Sequence, residues 1–310
     1  MSESSDKRGP EPWAWLAFGV AAAYMAMLVY LGSRPGGLGP VKVWGVGPPL
    51  LGFCAFGVAL FGLVWSALRR PALQRRRLWA LLAAGSVCAL APFPMPYPSS
   101  HAERPSLLEF ELPVEGAWRV RFGGERFFDN PLVVLPDRCT ALHLVREEEG
   151  ERLVDGGSAA RAEDHLGFGS AIAAPVAGRV VRASDGLPDR APAERAEDPF
   201  PGNHLVLEVA EGQYLFLTGL QQGSLQVGEG EAVERGQALA RVGCSGASRF
   251  TAEPHLAIHL QDTPEPHWGE GIPWSLHRYR SNGARIDRGV PRGGLEPSGQ
   301  AVGELLERAP

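Results

Sequence analysis

The residues with chemical promise are histidines set into short apolar runs: His143 in ALHLV, His204 in GNHLVLEV, and His255 with His259 in EPHLAIHL. Glu147 follows His143 by four positions, and His165 stands alone between them and His204. Imidazoles and a carboxylate that converge can hold zinc with one position open, and water bound there becomes a nucleophile near neutral pH. Spacing limits which of them could share an ion. On a strand, side chains repeat every two residues, so His255 and His259 share a face. Four residues of strand put them roughly 13 Å apart. That is too far for one ion bound at about 2 Å. His143 with Glu147 offers two ligands, and a third is missing unless His165, His204 or His255 joins them.

The elements that must position these groups fall into two regions. Trp13 to Leu31 and Leu50 to Leu68 are uncharged runs of 19 residues, long enough to cross a bilayer. Pro48-Pro49 is expected to set the start of the second. A third run, 78–95, is weakened by Pro92 and Pro94 near its end. A cleaved signal peptide is the other reading of the first run, but its apolar stretch is long and a second follows. Arg69, Arg70, Arg75, Arg76 and Arg77 lie between the second and third runs, against Arg34 and Lys42 in the first loop. Because Lys and Arg mark the cytoplasmic side, residues 1–12 are expected inside. Everything after about residue 96 is then expected outside the cytoplasmic (inner) membrane.

The segment 96–106 is proline-rich and reads as an extended, semi-rigid linker. From Leu107 the pattern becomes short alternating runs such as LLEFELPV, WRVRFGG and ALHLVRE, separated by Gly-Gly and Asp-Gly turns. An all-β domain of barrel or sandwich type is expected over 107–280, with a tail over 281–310. Val302 to Arg308 alone carries a helical period. Glu147-Glu148-Glu149 and the stretch from Asp189 to Asp198 read as solvated loops.

Net charge is −5, which gives no electrostatic case for nucleic acid. None of the four cysteines forms a CxxC pair. Cys54 and Cys88 sit in apolar runs, whereas Cys139 and Cys244 could pair in an oxidising compartment if their Cα atoms lie close enough.

The order GSAIAAPVAGRVV, GNHLVLEV, LTGLQQGSLQVGEGEAVERGQALARVG and EPHLAIHL resembles the lysostaphin-like peptidoglycan metallopeptidases, family M23. The resemblance implies a barrel-sandwich β domain and, in active members, zinc held by a His and an Asp early in the domain. The second His of a terminal His-x-His completes that set. The first His of that pair and one on a central strand assist the chemistry. Carried over by position, Leu132 or Val133 stands for the first His and His143 for the Asp. Gly219 stands for the central-strand His and Ala257 for the terminal ligand. His255 alone is retained. Trp268 and Trp274, in HWGEGIPWSL, either pack as core lids or, with His259, line a groove for glycan or peptide. The stretch VGEGEAVERGQALARVG also resembles lipoyl and biotinyl carrier hairpins, but no lysine follows Lys42, so no carrier attachment is possible.

The resemblance thus implies a membrane-anchored relative that has lost its zinc, binding cell-wall peptide or regulating a cell-wall hydrolase. The alternative is an active zinc endopeptidase with ligands rearranged to His143, Glu147 and His255. A third reading makes the apolar spans the functional part and the β domain a sensor or assembly module. Orientation is open to direct measurement. A reporter active only in the cytoplasm, fused after Pro310, is expected to be silent, and strong activity there would reverse the topology.

Overall fold

The computed structural model describes residues 11–69, 74–192, 194, 201–246, 253–294 and 302–309. The chain divides into two compact units, Met1–Pro94 and Met95–Pro310. Arg70 and most of the stretch 193–200 lie outside the described residues.

The first unit is three packed helices: α1 (Pro12–Gly32), α2 (Leu38–Ala67) and α3 (Arg75–Leu90). Close approach of α1 to α2 depends on glycine. A Cβ at Gly62 would lie 2.4 Å from the Trp13 ring, and one at Gly47 would lie 2.5 Å from Met27 Sδ. By length and composition α1 and α2 could each cross a membrane, at mean hydropathies of 1.8 and 2.1. The expected start of α2 at residue 50 is corrected, because the helix begins at Leu38 and runs through Pro48 and Pro49. Two prolines remove only two backbone donors, and a long apolar helix tolerates that when its neighbours pack against it. The third run also differs from its expected bounds, 78–95. Its helix starts within the arginines, which are good helix formers, and stops before Pro92. At 16 residues it is about 24 Å long, short of the ~30 Å hydrocarbon core.

The second unit is mostly β. Its strands are β1 (Trp118–Phe122), β2 (Leu142–Arg146), β3 (Ala171–Ala173), β4 (Gly178–Ser184), β5 (His204–Ala210), β6 (Gln213–Thr218), β7 (Ala232–Val233), β8 (Ala238–Arg241), β9 (Leu256–Gln261), β10 (Leu276–Ser281), β11 (Ala284–Gly289) and β12 (Leu305–Arg308). Ten form one sheet in the order β11-β10-β12-β1-β2-β9-β6-β5-β4-β7, while β3 and β8 form a separate pair. Alternation builds the core. Leu142 and Leu144, Leu256, Ile258 and Leu260, Leu215 and Leu217, and Leu205 and Leu207 cover one face of the sheet. Ile172 and Leu239 from the small pair close over that face.

Both ends of the expected domain move. Residues 96–106 are no free spacer, because Tyr97 N donates to Val133 O at 2.7 Å, Ser99 Oγ to Gly271 O and Ser106 N to Pro273 O, both at 2.8 Å. At the other end, β11 and β12 belong to the sheet, and the helical period over Val302 to Arg308 gives way to a strand between β10 and β1. A run from 302 to 308 is too short for its periodicity to decide, and two neighbouring strands with open backbone groups settle the choice for Leu305–Arg308. Cys139 and Cys244 are both free, and burial pushes each thiol up to about 12.

Leu306 is fully buried in β12 and lies opposite Trp118. Leu306→Ala should therefore cost about 2–5 kcal/mol in chemical denaturation, as core truncations do. A change below about 0.5 kcal/mol would mean that the C-terminal strand is not part of the sheet.

Candidate functional site

The face of the sheet opposite the leucines carries the histidines. Pairing runs from Phe122 to His143, then Ala257, Thr218 and His204, one residue per strand. Directly opposed residues share a face, so these five side chains form a row across β1, β2, β9, β6 and β5. His259 lies two residues after Ala257 on the same face of β9, and His255, just ahead of the strand, reaches that face from the other side, where its ring meets His143. A bulge between Val120 and Phe122 turns Phe122 to this side. Its ring meets His143 edge-on at 5.3 Å between centroids. All four histidines of this face, 143, 204, 255 and 259, are buried.

The residues do not fit zinc. Leu132, one of the two residues the resemblance sets against a first ligand, is buried with Phe122 and Ala141 in a small apolar cluster, and Val133, the other, is buried too. Ala257 offers only a methyl. Gly219 ends β6 at φ +80°, in the left-handed region, and a Cβ there would lie 2.5 Å from the backbone oxygen of His255. No side chain fits at 219 without moving β9. The His143 and His255 rings stack at 5.3 Å with 15° between their planes. Lone pairs lie in the ring planes, so stacked imidazoles do not aim at one ion about 2 Å from both. His204 is three strands from His143, roughly 14 Å away. Among the described residues, no three of His143, Glu147, His165, His204 and His255 bring ligand atoms within 4.8 Å of one another.

Glu147 is engaged elsewhere. Contrary to the solvated loop expected for it, it is buried and ion-paired to Arg119, with Arg152 Nε 3.6 Å away. Arg121 and Arg152 both bind Glu253 Oε1 at 3.0 Å, and His165 Nδ1 lies 3.8 Å from the other oxygen. This cluster borders His255, whose Nδ1 donates to Glu253 O at 2.9 Å. Sequence reasoning overlooked it, although the alternating arginines of WRVRF carried a signal: Arg119 and Arg121 share the face opposite Trp118 and Val120.

Of the expected groove residues, His259 stacks on Phe216 at 4.6 Å. Trp274 is a core residue, edge-on to Phe110 at 5.3 Å, with Nε1 donating to Thr140 O. It also lines a cleft with Gly123, Thr140, Pro273 and Val290. Trp268 is half exposed.

No family model matches the chain, and neither does any curated protein. Solved structures do align with it. A family M23 peptidase from Pseudomonas aeruginosa matches at 18% identity over 59% of this chain and 49% of its own, with a TM-score of 0.29. A zinc-containing peptidase from Vibrio cholerae matches at 17% over 58% and 39%, with a TM-score of 0.32. The SpoIIQ–SpoIIIAH pore-forming complex matches at 13% over 54% and 89%, with a TM-score of 0.33. The chain thus spans about half the length of the first of these and less of the second.

Burial holds the histidines neutral. It brings His255 down to about 4 and His259 to about 3, and together with the neighbouring His255 it puts His143 well below the usual range. In the unfolded chain all titrate near 6.5, so below that pH the unfolded state binds more protons. Stability is then complete above about pH 6.5 and falls as pH drops toward 4 and below. Denaturation midpoints measured from pH 7 to 4 should show this decline. His255→Gln should flatten it, and an unchanged slope would mean that the ring is solvated.

Proposed function

We propose that this chain is a membrane-anchored, peptidase-like protein that does not cut peptides. Its β domain lies outside the cytoplasmic membrane and holds a cell-wall peptide or a protein that acts on the wall. The observation that carries this reading is Gly219: its left-handed backbone and the oxygen of His255, 2.5 Å from any Cβ, leave no room for a catalytic imidazole. Leu132 and Ala257 extend the same argument to the metal. His255 keeps its place, but a lone general base supplies only about 10²–10⁴-fold, and amide hydrolysis needs much more.

In the same reading α1 and α2 cross the bilayer, with α3 as a shorter third crossing. The pairing of Arg77 with Glu11, at 2.6 Å, supports placing the N-terminus and the arginine-rich segment on one side. Arg76 over the Trp15 ring, 4.5 Å from its centroid, supports it too.

The purified chain should leave peptidoglycan peptides uncut with or without added zinc, as read by chromatography of the products, while retaining them in a pull-down. The pair Gly219→His and Ala257→His should not restore cleavage. Zinc-dependent cleavage by the unmodified chain, abolished by His255→Ala, would replace this reading with an active endopeptidase.

A further inference from the structure

A second constellation lies away from the histidine face. The segment after residue 95 brings His101 against the loop that follows β9, where His101 Nε2 lies 3.1 Å from Asp262 Oδ2. Glu270 completes the group, with ligand atoms of all three within 4.8 Å of one another.

The carboxylates are held for a task. Glu270 N donates to Asp262 Oδ1 at 2.8 Å, which leaves Oδ2 facing the imidazole. Ser100 donates to Glu270 Oε2 from its backbone N at 3.2 Å and its hydroxyl at 2.5 Å, and Tyr97 donates to Oε1. Each carboxylate oxygen has two lone pairs; Ser100 uses both on Glu270 Oε2, so on that residue Oε1 is the oxygen that keeps one. Hydrogen bonds that orient carboxylates in this way are characteristic of the outer shell of a metal site.

Charge points the same way. Glu270 is 1% exposed, and among the described residues neither it nor Asp262 has an Arg or Lys partner within ion-pair distance. Two carboxylates thus face one imidazole, and a buried charge without a counter-charge is costly. A divalent cation would supply what is missing. The His101 and Asp262 side chains are 27% and 25% exposed, which leaves a way in and room for water on the ion. Two atoms bound at about 2.1 Å with a tetrahedral spread lie roughly 3.4 Å apart, close to the 3.1 Å seen here. One imidazole with two carboxylates suits zinc or manganese better than magnesium.

We propose that His101, Asp262 and Glu270 bind a divalent transition-metal ion that staples the segment after residue 95 to the loop between β9 and β10. The site is structural and independent of the histidine face.

The test uses the full chain, stripped with a chelator and dialysed against Zn²⁺. One equivalent should bind and raise the melting midpoint. His101→Ala and Asp262→Asn should each weaken binding at least tenfold, with metal-free melting unchanged. The asparagine keeps an oxygen for the Glu270 N–H, so it tests the ligand without breaking the loop. His143→Ala and His255→Ala should still bind the equivalent. Absence of bound zinc would overturn the proposal. Zinc lost with His143→Ala or His255→Ala but kept in His101→Ala would overturn it as well, and that result would also count against the inactive reading of the sheet.

Discussion

The two-residue repeat of β9 is the constraint on which the rest depends. Leu256, Ile258 and Leu260 build the core from one side of the strand, while His255, Ala257 and His259 present the other side to the candidate site. The two sets share a backbone and little else. The residue at 257 can therefore change while the core contacts of β9 stay in place, because the leucines that hold β9 between β2 and β6 point away from it. Core and candidate site thus occupy opposite sides of one strand.

What occupies the histidine face is a low-dielectric packing of rings. Phe122 against His143, His143 on His255 and His259 on Phe216 meet through stacked and edge-on ring contacts. Formal charge is moved to one side, where Arg119, Arg121 and Arg152 neutralise Glu147 and Glu253. Neutral imidazoles in such surroundings behave as polarisable hydrophobes with one N–H donor each to place. His255 spends its Nδ1 on Glu253 O and His204 its Nδ1 on Gly202 O, at 2.7 Å.

Much of this was legible in the sequence where local pattern and tertiary need agree. The alternation in WRVRF, LVLEV, YLFLT and LAIHL marks strands that are strands, and the spacing of EPHLAIHL put His255 and His259 on one face. The backbone demand at 219 was not legible: a glycine in GLQQGS marks a turn, but the approach of the His255 oxygen to it comes from the neighbouring chain segment. Other features depend on contacts distant in sequence. Nothing local shows that Tyr97 and Ser99 dock on the far loop, or that Leu305–Arg308 completes a sheet. The bulge that turns Phe122 toward His143 is set by pairing with β2 and leaves no mark in composition. Pro48-Pro49 misleads for the opposite reason, since a strong local rule yields to helix packing.

The position of β12 has a kinetic consequence. It lies between β10 and β1 and joins Trp118 to Leu306, chain positions about 190 residues apart, and such non-local pairing slows folding. Until β12 is in place, β1 and β10 each carry an edge without its partner strand. An open sheet with two such edges is exposed to misassociation, and the arrival of β12 is the step that removes both at once.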